Sequence, residues 1–230
     1  TTYEQGNMNL QAEKATLLDV SYQLRWKSVS LFANAYVNHT EGYISQITKM
    51  DDGKLITTYV NADKDVKVGM DLSLRVEPAP WLSFSLGANT YHVSTKGTSE
   101  GADIANSGWT NNSTFQVDVL PWRGGSMQFE YLLTTPQYFP QLTTEKTHQL
   151  NIGFKQQLMK GAMTLSMLFT DVFDTDSWKV SSDNHLFRLT NHSNNKGHML
   201  WVGVSYNFNK FKAKNSQKTE TDRSLIKLGM

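Results

Sequence analysis

An all-β, antiparallel, up-and-down fold is predicted for this chain by three observations. Apolar and polar residues alternate at period two along most of its length, no helical stripe competes before residue 209, and tight and long connections take turns between the alternating runs. Several runs reach the ~9–11 residues that a tilted strand needs to cross a bilayer, whereas strands of water-soluble sheets commonly run ~5–6. The predicted class is therefore a transmembrane β-barrel, with oily side chains turned to lipid and wet ones to an enclosed lumen.

The first strand, near 14–26, sets Leu18, Val20, Tyr22, Leu24 and Trp26 against Asp19, Ser21, Gln23 and Arg25. In 28–47, Val29, Leu31, Ala33, Ala35 and Val37 oppose Ser30, Asn34 and Asn38. The clearest run, 59–77, sets Val66, Val68, Met70, Leu72, Leu74 and Val76 against Lys67, Gly69, Asp71, Ser73 and Arg75. In 81–95, Leu82, Phe84, Leu86 and Ala88 alternate with Ser83, Ser85, Gly87 and Asn89. Phe115, Val117 and Val119 then lie opposite Gln116 and Asp118, and Met127, Phe129, Tyr131 and Leu133 opposite Gln128 and Glu130. Leu150, Ile152 and Phe154 follow, then Met163, Leu165, Met167 and Phe169. Residues 199–208 close the series with Leu200, Val202, Val204, Tyr206 and Phe208, which makes nine strands.

Tight connections are expected at Trp26-Lys27-Ser28, Glu77-Pro78-Ala79-Pro80, 121–125 and Met159-Lys160-Gly161, where Pro and Gly turn the chain. Long ones are expected at 48–58, 96–109, 134–146 and 174–197. Long loops at one end and tight turns at the other are the habit of outer-membrane barrels. Trp26, Trp81 and Trp122, with Tyr206 and Phe208, fall at the tight-turn end and predict an interfacial girdle. The face opposite the apolar one carries Arg25, Lys67, Asp71, Arg75, Asp118, Glu130 and Lys155, as a wet lumen allows.

Composition excludes other classes. The 22 basic and 21 acidic residues leave no basic footprint for nucleic acid. Without cysteine there are no disulfides, no thiolate nucleophile and no Cys-bound zinc. A mean hydropathy of −0.46 and the lack of a long apolar run exclude a membrane helix, though not a barrel. Residues 209–230 read as a solvated polar tail. Tight turns after strands one, three, five and seven put this tail on the periplasmic side and Thr1 outside the cell. Barrel strand numbers are usually even, and an open edge in lipid leaves backbone groups unpaired. Nine strands beginning outside are thus expected to be the last part of a larger barrel.

Three segments carry a resemblance. Gly6-Asn7-Met8-Asn9-Leu10-Gln11-Ala12-Glu13-Lys14 resembles the segment that enters a late barrel strand of TonB-dependent outer-membrane receptors. Asp171-Val172-Phe173-Asp174-Thr175 resembles the end of their penultimate strand, and Val204-Ser205-Tyr206-Asn207-Phe208 their closing strand. The polar extension through Asp222-Arg223-Ser224 is similar to the Bacteroidetes branch. The resemblance implies a 22-stranded barrel occluded by an N-terminal plug, with this chain supplying strands fourteen to twenty-two. It also implies nutrient uptake energised through the TonB complex, which would act on an N-terminal region not in this sequence. Lipid is the first partner, the rest of the same receptor the second, and a surface lipoprotein lid, known in one branch, a third.

No enzyme is read here: no G-x-S-x-G, P-loop or dinucleotide fingerprint occurs, and no cofactor is implied. Asp171, Asp174 and Asp176 lack EF-hand spacing, and His185, His192 and His198 lack zinc spacing. Glu130 and Asp118 are placed to face each other across the 121–125 turn, as lumen carboxylates without catalytic work. Four aromatic residues in or beside the long loops, Trp109, Tyr138, Phe139 and Trp178, are the candidates for stacking on a ligand, set against a plainer role in packing the loops. A passive porin-like or structural outer-membrane barrel and a soluble β-sandwich with a binding or adhesive role are the alternatives.

Overall fold

The computed structural model describes residues 2–99, 102–175, 177–183, 188–194 and 197–208. Nine long strands form one antiparallel sheet: β1 Lys14–Trp26, β2 Val29–Glu41, β3 Lys64–Ala79, β4 Leu82–Lys96, β5 Asn106–Val119, β6 Gly125–Thr134, β7 Thr147–Leu158, β8 Met163–Thr170 and β9 Met199–Tyr206. Each pairs with its predecessor in sequence, so the sheet is an uninterrupted meander. It is open, with β1 and β9 at its edges.

The register explains why the alternation is so consistent. Leu24, Leu31, Leu74, Leu86, Phe115, Tyr131 and Leu150 are successive cross-strand partners, one row across seven strands. A one-residue slip anywhere would move a whole strand's apolar set to the other face. Among the described residues, no second layer covers this face. On interior strands, Met70 is 47% exposed and Phe115 43%, while Gln128 on the opposite face is 1% exposed and Asn151 4%. Val204 is exposed, Leu72 and Leu165 are half-buried, and so are Asp71 and Arg75. This inverts the order in a water-soluble protein, where apolar side chains are the buried ones.

The loops differ from the reading above. Strand two ends at Glu41 rather than 47, and strand three starts at Lys64 rather than 59. The alternating residues between them form a separate hairpin, Ile44–Asp51 with Lys54–Asn61, turned at Asp52-Gly53. Both turn residues have positive φ, 47° and 74°, as a tight hairpin turn requires. Period two cannot distinguish a wall strand from a loop hairpin that continues it. Ahead of β1, Thr2–Glu4 pairs in parallel with this hairpin, and the 6–13 segment is strapped to it. Asn7 Nδ2 donates to the Tyr59 carbonyl (2.8 Å), and Gln11 exchanges backbone bonds with the Asn61 amide (2.9 Å each way).

The last two long connections build a small sheet of their own: Tyr138–Phe139, Leu142–Thr144, Ser177–Asp183 and Arg188–Asn194. Among the described residues, one cluster of buried apolar side chains occurs, and it lies in the loops. It comprises Ile47, Ala62 and Ile104, with Tyr43 and Val60 packed against them. The expected tail, 209–230, lies outside the described residues.

Candidate functional site

The polar face is organised as hydrogen-bonded rows that run across the strands. In one row Ser21, Asn34, Asp71, Asn89 and Asn112 are successive partners. The Ser21 hydroxyl donates to Asn34 Oδ1 (3.0 Å), and Asn89 Nδ2 donates to Asp71 Oδ1 and to the Tyr36 hydroxyl (3.1 Å to the latter). Tyr36 reaches that bond because its register partner is Gly69, over which its ring lies.

Nearer the tight turns, Arg75 donates to Ser85 (3.2 Å) and Ser83 (3.4 Å) and pairs with Glu77 at 2.8 Å. Asp118 is the hub of this region. It accepts from Ser83 Oγ (3.1 Å), from Gln116 Nε2 (3.0 and 2.9 Å) and from Gln128 Nε2 (3.1 Å). Glu130 accepts from Asn151 (3.1 Å), which in turn accepts from Gln149 (3.0 Å). Asp118 and Glu130 thus do not oppose each other directly: their register partners on the facing strand are Gln128 and Gln116. Wall carboxylates are answered by amides and hydroxyls of the wall itself, which keeps charge on this face inexpensive. Asp118→Ala would remove the acceptor shared by three side chains and is expected to lower stability by about 1–3 kcal/mol, seen as an earlier urea midpoint in vesicles, with Asp118→Asn less affected.

At the long-loop end the polar face is roofed. The buried Thr110 hydroxyl donates to the Pro136 carbonyl (3.0 Å), and the Tyr138 ring sits directly on Gly108, where a Cβ would lie 2.2 Å from the ring. Asn106 Nδ2 holds the same loop through the carbonyls of Phe139 (2.8 Å) and Leu142 (3.1 Å). Gln141, at φ 64°, reaches the 44–61 hairpin and accepts the Thr48 N–H at 3.1 Å. Below that hairpin, Asp65 accepts from Thr95 and lies 3.6 Å from Lys67, whose ammonium stands 6.0 Å over the Tyr43 ring. Burial pushes the Tyr43 hydroxyl's pKa up; Lys67 opposes that shift, and Asp65 and Glu13 add to it.

The four aromatic candidates are not brought together. Tyr138 is seated inward on β5, Phe139 is exposed on the neighbouring position, and Trp178 is exposed on the small loop sheet opposite Ser193. Trp109 stands on the other side of the wall, 64% exposed on the apolar face, with His92 edge-on at 5.4 Å. Trp81 also departs from the predicted girdle: it lines a hollow with Arg75, Ser83 and Asp118 at the rim of the polar face. Trp26 and Trp122 keep the girdle position, Trp122 lying on Gly125 and donating to Gln156 Oε1 (2.6 Å).

Asp171 is buried at the end of β8. Its carboxylate accepts from the Thr175 backbone (2.9 Å) and hydroxyl (3.3 Å), so it closes the turn that follows the strand. Asp176 and His185 lie outside the described residues, and among the described residues no group of three His, Cys, Asp or Glu is placed to hold a metal. The amide rows themselves escaped sequence reading, which singled out charges. The signal that would have found them is asparagine or glutamine recurring on the polar phase of neighbouring strands.

An open meander whose apolar face is the bare one, and whose hydrogen-bonded face lies under folded loops, has the pattern of a transmembrane β-barrel wall. Residues 1–222 match the model of the outer membrane protein beta-barrel family, and the chain belongs to that family; its place is the outer membrane. No curated relative and no solved structure matches the chain.

Proposed function

We propose that this chain is the C-terminal wall of a TonB-dependent receptor, a transporter that takes up a scarce nutrient with energy from an inner-membrane partner. One observation supports the reading above others: an open sheet of nine strands carries loops that are folded and bonded to one another over its polar face. Unpaired edges are not tolerated in lipid. β1 and β9 therefore pair with further strands of the same polypeptide, which on the resemblance total 22 and enclose a plug. The long loops face the outside and the chain leaves β9 toward the periplasm. The segment does no catalysis, and its partners are lipid, the plug, the TonB complex and, where the branch has one, a lipoprotein lid.

The intact protein tests this. Uptake or growth on its nutrient should stop when TonB is deleted or the proton gradient is collapsed, and a passive porin-like barrel would continue to conduct. Within that assay, Tyr138→Ala/Phe139→Ala/Trp178→Ala is expected to cut uptake at least tenfold, while Trp109→Ala, on the opposite face, leaves it unchanged. Undiminished uptake in the triple variant would remove these residues from the ligand path.

A further inference from the structure

The apolar face ends, at the long-loop side, in a level line of rings. His39, His92, Trp109 and His148 all belong to the outward phase of their strands. Each stands eleven positions from the non-strand residue that begins the adjoining tight turn: His39 from Ser28, His92 from Trp81, Trp109 from Leu120 and His148 from Met159. At about 3.3 Å per residue and a tilt of about 35–45°, that is roughly 26–30 Å above the turns, one hydrocarbon thickness. His198, nine positions from Asn207 and so a little lower, lies edge-on to Phe169 at 5.8 Å at the far edge. Imidazole and indole rings at one height mark the second interface of the band, opposite Trp26 and Trp122.

Immediately beyond the line the face turns basic. Lys14, Glu41, Lys64 and Lys96 are successive register partners on the outward phase of β1 to β4, and all are exposed. Lys64 and Lys96 oppose each other directly. Like charges in that position destabilise a sheet, unless an anion lies between them. Glu41 flanks Lys64 on the other side and stands 3.7 Å from His39, so the lysine pair is the acceptor-poor part of the row.

We propose that this rim is a docking surface for phosphate-bearing glycolipid of the outer leaflet: acyl chains lie on the apolar face, a phosphate bridges Lys64 and Lys96, and imidazole N–H groups of the ring line donate to the headgroup. Charge complementarity and continuity with the lipid-covered face both point to this occupant. The inference rests on the long loops lying outside the cell, and that orientation is tested separately by labelling a cysteine at Lys54→Cys on whole cells.

The test uses intact protein purified from outer membranes in detergent, titrated with bis-phosphorylated lipid A or the same lipid after removal of its phosphates, and read by native mass spectrometry. The phosphorylated form should bind well above the dephosphorylated one, and inorganic phosphate should not displace it. Lys64→Gln and Lys96→Gln should each weaken binding roughly fivefold, the pair roughly 30-fold, while Lys64→Arg/Lys96→Arg retains it. Equal binding of the two lipid forms, displacement by inorganic phosphate, or unaltered affinity in the folded Gln pair overturns the proposal. A failed label at position 54 with intact lipid selectivity would overturn the orientation instead.

Discussion

Leu72→Arg is expected to cost about 2–4 kcal/mol of folding stability in a bilayer, whereas Ser73→Arg, one residue along the same strand, should cost less than about 1 kcal/mol. Leu72 lies inside the band, between Ala33, five positions from Ser28, and Ala88, four positions from His92, on the neighbouring strands. An arginine there has no wet partner in reach, and the interfaces are each too far for its side chain to lie fully in water. At Ser73 the same side chain projects onto the polar face, in a row with Phe32 and Gly87, where space and hydrogen-bonding groups are at hand. Urea titration of the intact protein in lipid vesicles, with the folded fraction read from heat-modifiable electrophoretic mobility, measures both. Equal losses would mean that the two faces do not see different solvents, and the wall assignment would fall with them.

The second large effect is expected at Gly69. Its neighbours in the row are Tyr36 and Tyr91, and an added Cβ would lie 2.6 Å from the Tyr91 Cβ and 2.7 Å from the Tyr36 ring carbon and hydroxyl. The Tyr91 contact is to an atom fixed to the backbone, so no rotamer change relieves it. Displacing Tyr36 also breaks its hydroxyl's bond from Asn89, which steadies Asp71. Gly69→Ala should therefore cost about 1–3 kcal/mol through overpacking. Gly87→Ala, two strand positions from Asn89 with nothing within 4 Å of the added atom, should stay within about 0.5 kcal/mol. The same titration compares them, and a Gly69 variant as stable as the Gly87 one would show that Tyr36 has freedom the register denies it.

What could be read from the residues follows from what period two encodes. It assigned Leu72 and Val204 to one face and Asp71 and Arg75 to the other, because a strand has only two faces and the bilayer demands that one be apolar. It could not place Ile47, Thr58 or Trp178, since loop hairpins alternate like wall strands and the difference lies in what they touch. The parallel pairing of Thr2–Glu4 has no local signature at all. Trp109 was assigned to the mouth from its place beside a long connection. Counting from the nearest tight turn, rather than from the loop, puts it level with three histidines on the outward side. The amide rows that answer Asp71 and Asp118 are products of register, legible only once neighbouring strands are aligned.

The confinement of the buried apolar cluster, among the described residues, to Ile47, Ala62 and Ile104 bears on how this polypeptide comes to be folded. A newly exported copy crossing an aqueous compartment has almost nothing to collapse around, since its largest oily surface has no protein counterpart. Its nine long segments must therefore stay unassembled, and shielded by carriers, until acyl chains supply the missing half of the interior.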